Sequence, residues 1–223
     1  MVAGERLGCA SEYTATVHAR GGQQVYTYLG RVESITWGRE RRKTSQATVR
    51  VPVSGLSREC LGRLRRLWPW AHELTVYRDG RAVWQGPLVT PVFTVCTIEL
   101  TAYDVSKWLE FQQLKQTRKL SGADLSDIGA AVVESAFAEF DPNVVPHVVA
   151  RPSGRSASRT ISAYSRMAAD ELSEVAGQGV DWTCLGRTVY FDAPATGDTE
   201  PQGRFTEQDF VGEVELALEG EEY

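Results

Sequence analysis

The chain is poor in the residues that most catalytic and metal-binding chemistries require. Its 223 residues include only four cysteines and three histidines. Cys9, Cys60, Cys96 and Cys184 are far apart and form no C-x-x-C pair, which excludes zinc-finger spacing and dithiol redox motifs. Free, buried thiols are the expectation. His18, His72 and His147 fall in no H-E-x-x-H, C-x-x-C-H or H-x-E pattern. No G-x-S-x-G elbow occurs, and "SGLSREC" (54–60) has the wrong spacing for one. Neither a Walker A loop nor a G-x-G-x-x-G fingerprint is present, so nothing points to a nucleotide cofactor. Runs of 18 or more apolar residues are also lacking, which excludes a membrane-spanning helix. The first residues do not have the basic-then-apolar layout of a signal peptide, so synthesis in a bacterial cytoplasm is expected.

Carboxylate pairs of the glycosidase kind need no local spacing. Glu134, Glu139 and Asp141 gather at one predicted helix end, and Asp170, Glu171 and Glu174 lie on another helix. Solvated helix faces account for both groups. Arg39, Arg41, Arg42, Lys43, Arg58, Arg63, Arg65 and Arg66 form a basic set with Trp37, Trp68 and Trp70 nearby. No helix-turn-helix or RNP motif accompanies them, so a solvated face or a protein contact is expected rather than specific nucleic-acid binding. The reading is of a protein with no catalytic residues, cofactor or metal.

What is present is ordinary globular material, 42% hydrophobic and 24% charged. The net charge of −5 conceals an asymmetry, since residues 1–100 hold 14 Lys and Arg against 8 Asp and Glu. Residues 101–223 hold 10 against 21. Such halves suit head-to-tail contact between copies or docking between oppositely charged partners; two domains with different surfaces explain it equally.

The first hundred residues alternate as strands do. Tyr13, Ala15, Val17 and Ala19 interleave with Thr14, Thr16 and His18, and "QQVYTYLG" (23–30), "VESITW" (32–37) and "QATVRVPV" (46–53) continue the pattern. Ser57 can cap a short helix whose Cys60, Leu61, Leu64 and Leu67 share one side. "LTVYRDGRAVWQGPL" (74–88) is a hairpin around Asp79-Gly80, with Val76, Val83 and Trp84 as core support. "FTVCTIELTAYD" (93–104) is a further strand, with Cys96, Ile98, Leu100 and Ala102 on one face. Helical periods follow at 104–114, at 121–140 (Ser121 and Asp124 at capping-box spacing) and at 162–179, ended by Gly177. "VVPHVVA" (144–150) is extended, "RPSGRSASR" (151–159) reads as a polar loop, 180–194 as a second hairpin and 210–218 as a last strand. The expected fold class is α+β, mainly β: a β-barrel domain over 1–105, an α+β insert over 106–203, and a strand over 204–223 that returns to the barrel.

"YLGRVESITWGRERRKTSQATVRVPVSG", "LWPWAHELTVYRDGRAVWQGPLVTP" and "TIELTAYDVSKWL", with the later "SRMAADELSEVAGQGVDWTCLGRTVYFDAP", resemble tail-tip hub or minor tail proteins of phages of actinobacteria. The resemblance runs over about residues 11–215. It implies a tail-tube-type β-barrel interrupted by an insert, in a virion protein of the tail tip. It further implies a homo-oligomeric ring that closes the tube, with distal tail, tube, tape-measure and other tip proteins as partners. Trimers with two barrels per chain are usual in that family. This sequence shows one convincing barrel, so either another barrel is supplied elsewhere or the ring takes six copies; the trimer is preferred. Candidate assembly contacts are Arg78, Arg81, Arg41, Arg42, Lys43 and Trp70. The rival expectations are a tail-associated wall hydrolase and a glycan-binding module that uses exposed tryptophans.

Overall fold

A computed structural model describes residues 12–194. Seven strands form one antiparallel sheet: β1 (Tyr13–Ala19), β2 (Val25–Leu29), β3 (Ser34–Trp37), β4 (Gln46–Pro52), β5 (His72–Arg78), β6 (Arg81–Phe93) and β7 (Thr97–Tyr103). Their spatial order is β2-β1-β5-β6-β7-β4-β3. Alternation builds the sheet as expected, with Ala15 and Val17, Val49 and Val51, Leu74 and Val76, and Ile98 and Leu100 all pointing into one core.

The order places β2 and β3, neighbours in sequence, at opposite rims. Only residues 30–33 join them. Five Cα steps reach about 17 Å, whereas the rims of a flat seven-stranded sheet lie about 29 Å apart. The sheet is therefore strongly curled. It does not close: no ladder joins β2 to β3 among the described residues. Among the described residues, an open curled sheet stands where a closed barrel was expected. Its rim strands are the shortest of the seven, with five and four residues, and the connecting chain crosses the seam between them.

The helix α1 (Arg58–Leu64) buries Leu64 in this core, followed by Leu67, and its N-cap Ser57 Oγ accepts from the Cys60 N–H at 3.1 Å. Strand β6 is 13 residues long and serves both halves of the sheet, pairing β5 with its first part and β7 with its second. At its bend sits Gly86, where a Cβ would lie 1.8 Å from the Tyr103 carbonyl oxygen; no other residue fits that approach.

Asp104 ends β7 and caps a 3-10 turn, Val105–Glu110, in place of the longer helix expected over 104–114. Then come β8 (Arg118–Asp124), α2 (Leu125–Ala136), β9 (His147–Ala150), β10 (Ser156–Ile161), α3 (Ala168–Gly177), β11 (Asp181–Leu185) and β12 (Thr188–Asp192). β8 pairs with β10, while β11, β12 and β9 form a small sheet in which β12 and β9 run parallel. A second core, including Ile128, Val132, Phe137, Leu172, Val175 and Phe191, lies between these sheets and helices.

Three boundaries differ from expectation. Residues 118–124 are strand, and Asp124 rather than Ser121 is the N-cap of α2, accepting from the Ser126 N–H at 2.8 Å. The polar stretch 151–159 contributes β10, because its ladder partner β8 is equally polar and neither betrays a buried face. α3 begins only at Ala168 but ends at Gly177 as expected, with Gly179 left-handed (φ +112°) just beyond it. The expected strand 210–218 and the return segment 204–223 lie outside the described residues.

Candidate assembly surfaces

The 74–88 hairpin forms as its sequence demands. Asp79 and Gly80 take positive φ (49° and 76°), the geometry of a type I′ turn that matches strand twist. Val76 and Trp84 lie buried opposite each other, and Val83 is the extra residue of a bulge, half-buried against the same core. Arg78 and Arg81 sit directly across from one another at the turn. Arg81 is exposed, whereas the Arg78 side chain is 23% exposed with Nε 3.9 Å from Asp79 Oδ2. The turn is tethered: the Asp79 N–H donates to Glu12 O at 2.8 Å, and the Glu12 N–H donates to Asp79 Oδ1 at 2.9 Å.

The basic turn 39–43 faces β11. Arg42 takes a positive φ of 59°, which turns its N–H onto Trp182 O at 2.9 Å and its guanidinium onto Asp181 Oδ1 at 2.5 Å. Arg41 lies 3.6 Å from the other Asp181 oxygen. Lys43 stays exposed, 3.8 Å from Glu40. Trp70, also at positive φ (65°), turns inward and packs on Trp108 (centroids 4.6 Å apart) and Phe111 (5.2 Å), with Arg20 over the Trp108 ring. Its neighbour Trp68 is the solvent-facing ring, 70% exposed. Arg41, Arg42 and Trp70 therefore engage other parts of the same chain, while Arg81 and Lys43 remain on the surface.

Sequence reasoning missed the clamp that joins the two cores. Glu73 on β5 is 1% exposed. Its Oε1 accepts from Arg187 Nη1 and from the Gly21 N–H at 3.0 Å, and its Oε2 accepts from Gln85 Nε2 at 3.1 Å. Arg187, in the β11–β12 turn, also donates to Val144 O at 2.5 Å. Three of the carboxylate's roughly four acceptor sites are taken by donors that hold it in place, which suits a structural pin. A cleft of about 330 Å³, lined by Gly22, Gln85, Asn143, His147 and Arg187 among others, opens beside it.

His18, adjacent on β1, is buried rather than surface-facing, with Nε2 2.7 Å from Thr16 Oγ1 and 3.3 Å from Tyr77 Oη. Burial lowers its pKa against the upward pull of the Glu73 charge. A second polar knot forms where β7 ends. Asp104 accepts from the Ser45 N–H (2.7 Å), Ser45 Oγ (2.5 Å), the Ser106 N–H (2.9 Å) and Ser106 Oγ (2.6 Å). Burial and the Asp104 charge push the nearby Cys184 thiol well up, leaving it inert. Of the other thiols Cys60 is half-buried, and Cys96 is exposed, contrary to expectation.

Of the α3 carboxylates, Asp170 and Glu174 are exposed as a solvated face requires, and Glu171 is the exception. Glu171 is 4% exposed and binds Arg159 and Arg166, while Glu174 takes Arg159 Nη2 at 2.9 Å. Among the described residues no group of three or more His, Cys, Asp or Glu is placed to hold a metal ion, and no helix is long and apolar enough to cross a membrane. One surface feature went unread: the β6–β7 turn carries Val92, Phe93 and Val95 (92% exposed) at its tip. A run of apolar residues across a hairpin turn is its signal in the sequence.

No protein-family model matches the sequence, and no curated protein does. Solved structures do share the fold. The tail protein from Neisseria meningitidis MC58 aligns with a TM-score of 0.56 at 14% identity, covering 85% of this chain and 53% of that one. The 43 kDa tail protein of prophage MuSo2 from Shewanella oneidensis gives 0.53 at 13% identity, covering 81% and 53%. A prophage tail protein from Listeria monocytogenes EGD-e gives 0.53 at 11%, covering 81% and 50%. The chain thus spans about half the length of these structures. What it shares with them is the fold of phage tail proteins.

Proposed function

We propose that the protein is a structural, non-catalytic component of a phage or phage-derived tail. In this reading it assembles at the tail tip as a ring-shaped hub of the type its sequence motifs resemble. A virion tail location and contacts with tube, distal tail and tape-measure proteins belong to the same proposal. The supporting observation is the extent of the fold likeness. It covers 85% of the chain, whereas the curled sheet ends before the midpoint, so sheet and insert both take part. The internal pairing described above supports the same role, because clamped domains present fixed outer surfaces, as repeated ring contacts require. Arg81, Arg78 and Lys43, with the apolar tip at Val92, Phe93 and Val95, are the proposed contacts.

Native mass spectrometry and negative-stain imaging of the purified protein test this. A closed trimer or hexamer is expected, with the trimer preferred. The double variant Arg78→Glu/Arg81→Glu should lose assembly while its circular dichroism and melting stay those of the parent. A parent that remains monomeric at all concentrations, or a variant that assembles normally, overturns the proposal.

A further inference from the structure

The second cleft, also about 330 Å³, lies between the basic turn and the insert and is lined by Arg42, Lys43, Tyr103, Lys107, Leu172 and Trp182, with others. Its floor is apolar: Leu109 and Leu172 are 1% exposed and Trp182 6%.

Residues 39–43 carry four cations and one carboxylate, Glu40. Lys107 reaches Glu110 at 2.5 Å and lies 4.8 Å from the Tyr103 ring centre. Counting Asp181 and Glu110 against the cations, the surface stays positive. Residues 195–209 carry Asp198, Glu200, Glu207 and Asp209 against Arg204 alone. Their starting point is fixed beside the cleft, since Asp192 at the end of β12 is the ladder partner of Asp181, which Arg41 and Arg42 hold. Adjacent strands are about 4.8 Å apart, and the six residues from Asp192 to Asp198 reach about 20 Å.

We propose that this cleft is a docking site for the acidic segment 195–209 of the same chain, its carboxylates lying against Lys43, Arg42 and Lys107. The docking ties the chain leaving β12 back to the curled sheet and is independent of the tail reading.

Zero-length carbodiimide cross-linking of the full-length protein, read by peptide mass spectrometry, tests this. The chain has four lysines, at 43, 107, 115 and 119. Lys43 and Lys107 should couple to Asp198, Glu200, Glu207 or Asp209 at least tenfold more often than exposed Lys119 does. In an equal mixture of light- and heavy-isotope protein, the links should stay within one isotope. The expected local links, Lys43 to Glu40 and Lys107 to Glu110, verify the reagent. Equal coupling at Lys119, no coupling from Lys43 or Lys107 to the segment, or links that bridge the two isotopes would each overturn the proposal.

Discussion

Replacing Glu73 by Gln tests the clamp between the cores most directly. The side chain keeps its shape, but Arg187 loses its counter-charge, and one former acceptor becomes an NH₂ group facing another donor, the Gln85 amide or the Gly21 N–H. Removing one partner of a buried ion pair costs about 3–5 kcal/mol. Arg187 keeps its bond to Val144 O and is 15% exposed, so the lower end applies, about 3 kcal/mol. With a urea m-value of about 2 kcal/mol per molar, the midpoint should fall by about 1.5 M. Tryptophan fluorescence reads the transition. Arg187→Met alone should be at least as damaging, because it strands a carboxylate that is 1% exposed. The double variant should recover part of the loss, giving a coupling energy of about 1–3 kcal/mol. A Glu73→Gln midpoint within 0.2 M of the parent, or strict additivity of the two changes, refutes the clamp.

Gly129→Ala adds a Cβ 2.4 Å from Cε1 of the fully buried Phe191. Overpacking at about 1–3 kcal/mol exceeds the helix-propensity gain of about 1 kcal/mol, so the melting temperature should fall; a rise contradicts the packing described. Burial raises the Asp124 pKa, but hydrogen bonds from Ser153, Ser126 and Gly154 outweigh it and hold the group below its ordinary value. Its stabilisation is present above the unfolded value and lost as pH falls through the folded one, below about pH 4. Asp124→Ala should cost about 2 kcal/mol at neutral pH and flatten the urea-midpoint profile in that acidic window. For His18 the lowered pKa means that the unfolded chain binds more protons just below about pH 6.5, so stability falls as pH drops through that range. His18→Phe should remove that slope, and an unchanged slope assigns it elsewhere.

Much of the curled sheet can be read in the chain because its residues alternate and its turns are spelled out. Asp79-Gly80 needed nothing beyond its own chemistry, nor did Ser57 ahead of α1. The failures share a cause: they depend on partners remote in sequence. Glu73 and Arg187 are 114 residues apart, and a lone glutamate at the head of a strand carries no mark of a buried mate. β8 and β10 lack apolar alternation because their pairing, rather than a buried face, defines them. Ser121 resembled a cap, but Gly122 takes φ +61° and Asp124 offers the better acceptor for the helix start. Trp70 looked available because the left-handed backbone that turns its ring inward is invisible at a tryptophan.

The strand order also bears on biosynthesis. The meander β5–β6–β7 occupies the middle of the sheet, with the β1–β2 hairpin added on one flank and β3–β4 on the other. Both hairpins leave the ribosome first, yet their docking edges belong to residues 72–103, which are made later. Until that meander is complete, the stretch from Tyr13 to Pro52, which holds β1 to β4, displays unsatisfied strand edges. Aggregation through those edges, before residues 72–103 have been made, is therefore the hazard the strand order sets for the nascent chain.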